Sequence, residues 1–106
     1  MKAYIGEEPP GPLEIQILPQ FKWETYRIDF CLRFHNTPQI FVECDGHDFH
    51  ERTKEQAEHD RSKDRAIQAA GIPILRFTGR EIWRDPGQVV SEILNFMSKS
   101  IGEAQR

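Results

Sequence analysis

Residues 26–30, YRIDF, and residues 40–46, IFVECDG, are the two stretches that decide the fold. Both have the β-branched and aromatic character of buried strands, and a short polar turn separates them. An antiparallel hairpin of the two brings Asp29 near Glu43 and Asp45. Carboxylates that converge in an apolar setting repel one another, and a divalent cation with oxygen ligands is the usual compensation. The sequence therefore predicts a metal site and metal-assisted hydrolysis.

The composition of the chain suits one small globular domain. It has 106 residues, of which 38% are hydrophobic and 29% are charged. No apolar run is long enough to span a bilayer, so no membrane partner is expected. Cys31 and Cys44 lack the paired spacing of a zinc site and are interpreted as reduced core cysteines of a cytoplasmic protein. The net charge of -3 argues against nucleic-acid binding through bulk charge, although active-site acids can mask a basic rim.

The N-terminal part of the chain divides into an arm and the start of a domain. Residues 1–12 are rich in Pro and Gly and predict an irregular Pro-rich arm. Residues 13–106 predict a single domain, either complete or a fragment of a longer protein. Within it, residues 13–18 alternate loosely as a first strand that Pro19 ends.

Alternation within the next two predicted strands indicates which side chains share a face. Along residues 26–34, Asp29 falls on the face opposite Ile28 and Phe30. Along residues 39–45, the two acids share one face with a phenylalanine.

A helix is predicted over residues 53–70. Thr53 and Gln56 fit a capping box at its start, and Gly71 is a stop signal after its end. One stripe along this helix carries charges where a helix that packs on a sheet normally has Leu or Val. The stripe consists of Ala57, Asp60, Arg61, Asp64, Ile67 and Ala70.

The remaining residues predict one more strand and one more long helix. The strand covers residues 72–77, and a turn or short helix follows over residues 78–83. Asp85 and Pro86 fit the N-cap and first position of the last helix. A helical crossover places the last strand parallel to an earlier one. The order β-β-β-α-β-α predicts an α/β fold with a mixed sheet flanked by helices.

Asp29, Glu43 and Asp45 are the best-supported candidate site residues. Two strand acids and a main-chain carbonyl can hold one Mg²⁺ ion that keeps several waters. His47 and His50 directly follow the strand, where a histidine can exchange a proton with water or a leaving oxygen near neutral pH. His50 is the preferred candidate, and His47 is interpreted as a loop residue.

The order and spacing of these residues resemble the very-short-patch-repair endonuclease-like group of the PD-(D/E)xK nuclease superfamily, which includes the EDxHD homing endonucleases of phages. The resemblance extends from about Gln20 to Ile93, and no single motif carries it. Its elements, in chain order, are residues 26–30, residues 42–46, His50, Asp60-Arg61, Asp64-Arg65 and residues 71–77.

The resemblance implies a restriction-endonuclease-like fold and a bacterial or phage-encoded endodeoxyribonuclease that depends on Mg²⁺ or Mn²⁺. The metal ligands that it implies are Asp29, Glu43, Asp45 and the backbone carbonyl of Cys44. Asp45 stands where the superfamily motif has a lysine. His50 corresponds to a general acid or base, and Asp60 to a helix acid near the site. No cysteine set matches the structural zinc site of the mismatch-repair enzyme, so no structural zinc is expected.

DNA is the expected partner, with help from a fused or separate DNA-binding domain or from a second protomer in a homodimer. Phosphate contacts are assigned to basic residues that follow the acidic strand. They are Lys54, Arg61, Lys63, Arg65, Arg76, Arg80 and Arg84. Two alternatives stay open, namely a non-catalytic DNA-binding or protein-interaction module on the same fold, and an RNase.

Several of these residues also have a purely structural interpretation. Asp29 can lie on a solvated strand face and pair with Arg27 or Arg33. The charges of residues 60–65 can form solvated ion pairs along one helix face. Trp83 is interpreted as a core aromatic residue, with a DNA-facing rim as the alternative.

Overall fold

The computed structural model describes residues 2–5, 14–34, 39–45 and 53–104. These residues form a five-stranded mixed sheet with helices packed on both faces. The elements are β1 (Lys2–Ile5), β2 (Glu14–Trp23), β3 (Tyr26–Phe34), β4 (Ile40–Asp45), α1 (Lys54–Ala70), β5 (Ile74–Thr78), α2 (Gly79–Arg84) and α3 (Pro86–Ala104). None of the helices in this described part combines the length and hydrophobicity that a membrane span requires.

The strands lie in the sheet in chain order, β1-β2-β3-β4-β5. β2, β3 and β4 form an antiparallel meander, whereas β1 pairs with β2 and β5 pairs with β4 in parallel. The parallel pairing of β4 with β5 requires a crossover, and this crossover contains α1. The predicted α/β class, the hairpin of the two acidic segments and the parallel last strand are confirmed.

Two hydrophobic clusters hold the sheet between its helices. The α3 cluster lies under α3 and includes Ile40, Val42 and Met97. The α1 cluster lies under α1 and includes Phe41 and Ile67. β4 contributes to both clusters because alternate side chains of a strand point to opposite faces. The strand that carries the candidate acids is therefore packed from both sides.

Two predictions about the N-terminal part of the chain are wrong. β1 lies inside residues 1–12, where an irregular arm is predicted, and the Pro-rich residues 6–13 lie outside the described residues. β2 continues through Pro19, which is the Cα partner of Phe30, instead of ending there. Gln20 follows with a φ of 51°, in the left-handed region. After this residue, β2 continues with its side chains on the opposite faces of the sheet.

This change of face also affects β3, which pairs with β2. Ile28 belongs to the α1 cluster, whereas Phe30 packs against the α3 cluster. The prediction that these two side chains share a face is therefore wrong. Asp29 lies between them. The direction of its side chain is therefore set by a local break in the meander opposite Gln20, and not by regular alternation along β3.

Local signals at the helix ends act as the sequence predicts. The Thr53 hydroxyl accepts the Gln56 amide, and the Gln56 side chain accepts the Thr53 amide, which completes the capping box. Gly71 ends α1 with a φ of 70°, a conformation that costs glycine little. The Asp85 carboxylate accepts the Gln88 amide at 3.1 Å at the start of α3. The predicted bounds of both long helices at these residues are confirmed.

Candidate active site

Polar contacts around Lys63 hold α1 on the sheet. The Tyr26 hydroxyl and the Ser62 hydroxyl lie 2.8 Å apart, and the Tyr26 ring centroid lies 5.2 Å from that of His59. Lys63 Nζ donates to the carbonyl oxygen of Arg27 at 2.8 Å. These contacts fix the face of α1 that meets the sheet beside the end of β4.

Glu43 is a buried acid on β4. The residue is 9% exposed and lies on the same face of the strand as Phe41. Lys63 Nζ lies 2.6 Å from Glu43 Oε1, and the two side chains are 14% and 12% exposed, respectively. An ammonium group from α1 therefore neutralises this carboxylate.

Asp29 supports the end of β4 with its side chain. Its Oδ2 accepts the backbone amide of Cys44 at 2.7 Å, next to the paired residues Phe30 and Val42. A carboxylate that accepts a backbone N–H makes a strong hydrogen bond and is held in one orientation. The meander thus brings Asp29 to the part of β4 that carries the other two acids.

The pKa of the Cys44 thiol depends on the charges around the end of β4. Its side chain is exposed, so its predicted core position is wrong, because the α3 cluster reaches Val42 and not Cys44. Partial burial raises the pKa of this thiol, and the negative charges of Asp29, Asp45 and Glu43 raise the pKa further. Each of the three carboxylates therefore lies close enough to Cys44 to affect the pKa of its thiol.

A second ion pair joins α1 to β5 beside Glu43. Arg76 is the Cα partner of Glu43 in the parallel ladder, and its guanidinium group binds the carboxylate of Asp64. The hydrogen bond from Arg76 lowers the pKa of Asp64. The same bond raises the pKa of Arg76, to which the charges of Asp45 and Glu43 also contribute. Acidic and basic groups therefore alternate across this end of the sheet.

The sheet-facing side of α1 includes only part of the predicted stripe. Lys63 and Asp64 contact strand residues and Ile67 is buried, whereas Arg61, a member of that stripe, is exposed. Asp60 is partly exposed one turn before Asp64. The pairing of Asp64 with β5 and that of Lys63 with Glu43 were therefore not predicted from the sequence. The helical spacing of these positions before Ile67 was the signal that could have found both.

The basic residues assigned to phosphate contacts fall into two groups. Lys63 and Arg76 are paired with acids. The exposed group comprises Lys54, Arg61, Arg65, Arg80 and Arg84. Trp83 on α2 is 91% exposed, so its predicted core position is wrong. The reason is that α2 packs on the α3 cluster through Ile82 instead.

The donor atoms at the end of β4 suit a hard divalent cation. They are the carboxylates of Asp29, Glu43 and Asp45 and the backbone carbonyl of Cys44. Mg²⁺ commonly takes one or two carboxylates, keeps several waters and binds substrate oxygens. Across the described part of the chain, no group of three or more His, Cys, Asp or Glu side chains is placed to hold a metal ion. A full ligand set thus needs water, substrate or other residues, and His50, which lies outside the described residues, stays a prediction.

The mixed sheet, its helical crossover and the acids at one end of it fit a restriction endonuclease-like domain. The chain belongs to the family REase_MTES_1575, a restriction endonuclease-like family whose model matches residues 12–97. This match confirms the predicted fold and the nuclease superfamily. No curated protein and no solved structure matches the chain significantly. Domains of this class are nucleases that act on DNA and generally use divalent metal ions.

Proposed function

We propose that the chain is a metal-dependent endonuclease that hydrolyses DNA phosphodiester bonds. The placement of Asp29 and Glu43 on adjacent antiparallel strands, with Asp29 bonded to the Cys44 amide beside Asp45, is the observation that carries this proposal. Exposed basic residues lie on α1 and α2, the helices before and after β5. Acids that can hold a cation and basic groups that can hold phosphates are what phosphodiester hydrolysis needs.

The proposed roles follow from the positions of the side chains. Asp29, Glu43 and the carbonyl of Cys44 would hold Mg²⁺ or Mn²⁺, with Asp45 as a further ligand. When bound, the ion supplies a water of lowered pKa and stabilises charge on a phosphoryl oxygen. Asp29 also holds the end of β4 through the Cys44 amide, which positions ligands on two strands before binding.

Two further residues are proposed to act on the proton and on the geometry of the site. His50 is proposed to exchange a proton with the attacking water or the leaving oxygen. The resemblance to the family implies products with a 5′-phosphate and a 3′-hydroxyl. Asp60 lies on α1, one turn before Asp64, and is proposed to orient His50 or a metal-bound water.

The relationship to the very-short-patch-repair endonuclease-like group and its EDxHD homing relatives is part of this proposal. It is supported by acids on neighbouring antiparallel strands, followed by the helix that carries Asp60 and Asp64. A cytoplasmic location is proposed because the thiols of Cys31 and Cys44 are free. A bacterial or phage origin is proposed from the family resemblance alone. A fused or separate DNA-binding domain, or a second protomer, is proposed to provide target selection.

A non-catalytic module on the same fold is the second candidate function. Lys63 neutralises Glu43, and one carboxylate oxygen of Asp29 accepts the backbone amide of Cys44. Both acids are therefore compensated without a metal ion, which is what a purely structural role requires. An RNase with the same site differs in substrate and not in geometry.

A plasmid cleavage assay with Mg²⁺, Mn²⁺ and EDTA arms tests the proposal. Supercoiled DNA should be nicked or linearised with either metal and stay intact in EDTA. Glu43→Gln is the matched control, because the amide keeps the shape of the side chain and removes its charge. Cleavage by this variant at the parent's rate would contradict the proposal. A parallel arm with structured RNA distinguishes the RNase, and absence of both cleavage and metal binding favours the module.

A further inference from the structure

We propose that Lys63 is an internal counter-cation of Glu43, that a divalent metal ion must displace it, and that the displaced ammonium then contacts a phosphate oxygen of the nucleic acid. This inference rests on the proposed function and adds to it an exchange of cations on one carboxylate. The exchange would couple metal binding to the capture of the scissile phosphate.

The ammonium group of Lys63 is closely held by two oxygen acceptors. It lies 2.6 Å from Glu43 Oε1, and it donates to the carbonyl oxygen of Arg27 at 2.8 Å. The side chains of the ion pair are only 14% and 12% exposed. An ammonium has three donors, so one donor remains for a further acceptor such as a phosphate oxygen.

Lys63 lies on Oε1 of Glu43, so a metal ion bound to the same carboxylate would lie within a few ångströms of the ammonium group. Two cations held a few ångströms apart repel each other, and the repulsion is strong where water is largely excluded. Metal binding therefore moves Lys63 away from Glu43. A displaced cation in a shielded site needs a new anionic partner, and the phosphate of a bound nucleic acid is the one that enters with the reaction.

A purely structural link between α1 and β3 is the competing explanation, since Lys63 also binds the carbonyl of Arg27. If the link is purely structural, removal of the ammonium lowers stability equally with and without metal and leaves metal affinity unchanged. The two explanations therefore differ in metal affinity, which can be measured without any cleavage.

Lys63→Met removes the charge and keeps most of the side-chain volume. Lys99→Met is the matched control, because Lys99 is exposed on α3, which packs on the other face of the sheet. Calorimetric titration with Mn²⁺ in the absence of nucleic acid should give a dissociation constant roughly tenfold lower for Lys63→Met than for the parent. Lys99→Met should match the parent. At saturating Mn²⁺, the single-turnover cleavage rate of Lys63→Met should fall by about 10²-fold.

Unchanged or weaker Mn²⁺ affinity in Lys63→Met overturns the competition, and an undiminished single-turnover rate overturns the contact with phosphate. If this variant does not fold, reductive methylation of the parent followed by mass spectrometry decides instead. In EDTA, Lys63 should be methylated more slowly than Lys99. After Ca²⁺ is added, the methylation rate of Lys63 should rise, while that of Lys99 should stay the same. A rate at Lys63 that Ca²⁺ leaves unchanged overturns the inference.

Failure of the proposed function and failure of the counter-cation role give different results. A parent that binds no divalent cation overturns both the proposed function and the role of Lys63. A parent that binds metal and cuts DNA, with an affinity that does not depend on Lys63, overturns only the counter-cation.

Discussion

The carboxylate of Asp29 accepts the backbone amide of Cys44 at 2.7 Å, from one strand of the sheet to the next. The bond lies beside the backbone pairing of Phe30 with Val42 and extends the contact between β3 and β4. Asp29 is therefore at once a structural acceptor and a candidate metal ligand. A test of its chemical role must keep the hydrogen bond.

Asp29→Asn should abolish cleavage and leave the fold intact. The amide oxygen of asparagine can still accept the Cys44 amide, while the negative charge that would bind a metal ion is lost. Asp29→Ala removes the acceptor as well and should lower the free energy of unfolding by about 1 kcal/mol. Urea unfolding in EDTA and plasmid cleavage in Mg²⁺ measure the two effects separately. If Asp29→Asn cuts plasmid at the parent's rate, the assignment of this residue is wrong.

His50→Ala should slow cleavage by roughly 10²–10⁴-fold, the loss typical of removing a general acid or base. His47→Ala should have a much smaller effect, since His47 is interpreted as a loop residue. Single-turnover rates of the two variants, measured in parallel at saturating metal, decide between the histidines. A larger loss at His47 would reverse the assignment.

The ion pair of Asp64 with Arg76 should stabilise the protein at neutral pH and not in acid. Arg76 lowers the pKa of Asp64 in the folded state, so the contribution is present above the unfolded pKa and is lost as pH falls through the folded pKa. Because the pair is partly exposed, the contribution should not exceed about 1 kcal/mol.

Urea unfolding of Arg76→Met against pH measures this contribution. The variant should be less stable than the parent at neutral pH, and the difference should vanish in acid below the pKa of Asp64. Arg84→Met, which removes an exposed arginine from α2, is the control. A stability difference that persists at low pH would show that packing of the Arg76 side chain, and not its charge, is responsible.

Cys44 should be alkylated slowly for an exposed thiol. Partial burial and the nearby carboxylates raise its pKa, so less of the reactive thiolate is present at neutral pH than in the unfolded chain. Iodoacetamide rates followed against pH by mass spectrometry should therefore give a midpoint above the ordinary cysteine value. Asp45→Asn should move that midpoint down. An unchanged midpoint in Asp45→Asn would show that the charge of Asp45 does not raise the pKa of Cys44. Cys31, which is buried, should stay unmodified in the folded protein.

The isolated chain should bind DNA weakly. Its net charge of -3 leaves little free energy from counterion release, which supplies most of the non-specific affinity of DNA-binding proteins. The dissociation constant at physiological salt should be no tighter than about 1 µM. Fluorescence anisotropy with several duplexes, in Ca²⁺ to prevent cleavage, measures it. Nanomolar and sequence-selective binding would reveal a recognition element in residues 47–53 or 80–84.

Local signals explain which parts of the fold the sequence predicts. The Thr53 capping box, the Gly71 stop and the Asp85 cap each depend on a few neighbouring residues, and the structure has all of them. The position of Pro19 alone does not determine where β2 ends. Pro19 occupies a paired position in the sheet, and the left-handed Gln20 lets the strand continue on the other face.

The acids on the strands were predicted as site residues, whereas the ion pairs that Lys63 and Asp64 make with the strands were not. Asp29 and Glu43 can be recognised in the sequence because they are charged residues within otherwise apolar strands. Lys63 and Asp64 stand on a helix where charged residues are common, and their partners depend on how α1 is rotated on the sheet. That rotation is set by tertiary contacts such as Tyr26 with Ser62, which no local pattern reveals.

The crossover between β4 and β5 separates the acids from their cations along the chain. Asp29 and Glu43 belong to adjacent strands of the meander, whereas Lys63 comes later on α1 and Arg76 later still on β5. Contacts between segments close in sequence form sooner than those that close long loops. We therefore expect the acids to meet during folding before the groups that neutralise them arrive. The refolding rate of this protein, and not only its final stability, should for that reason depend on the ions in solution.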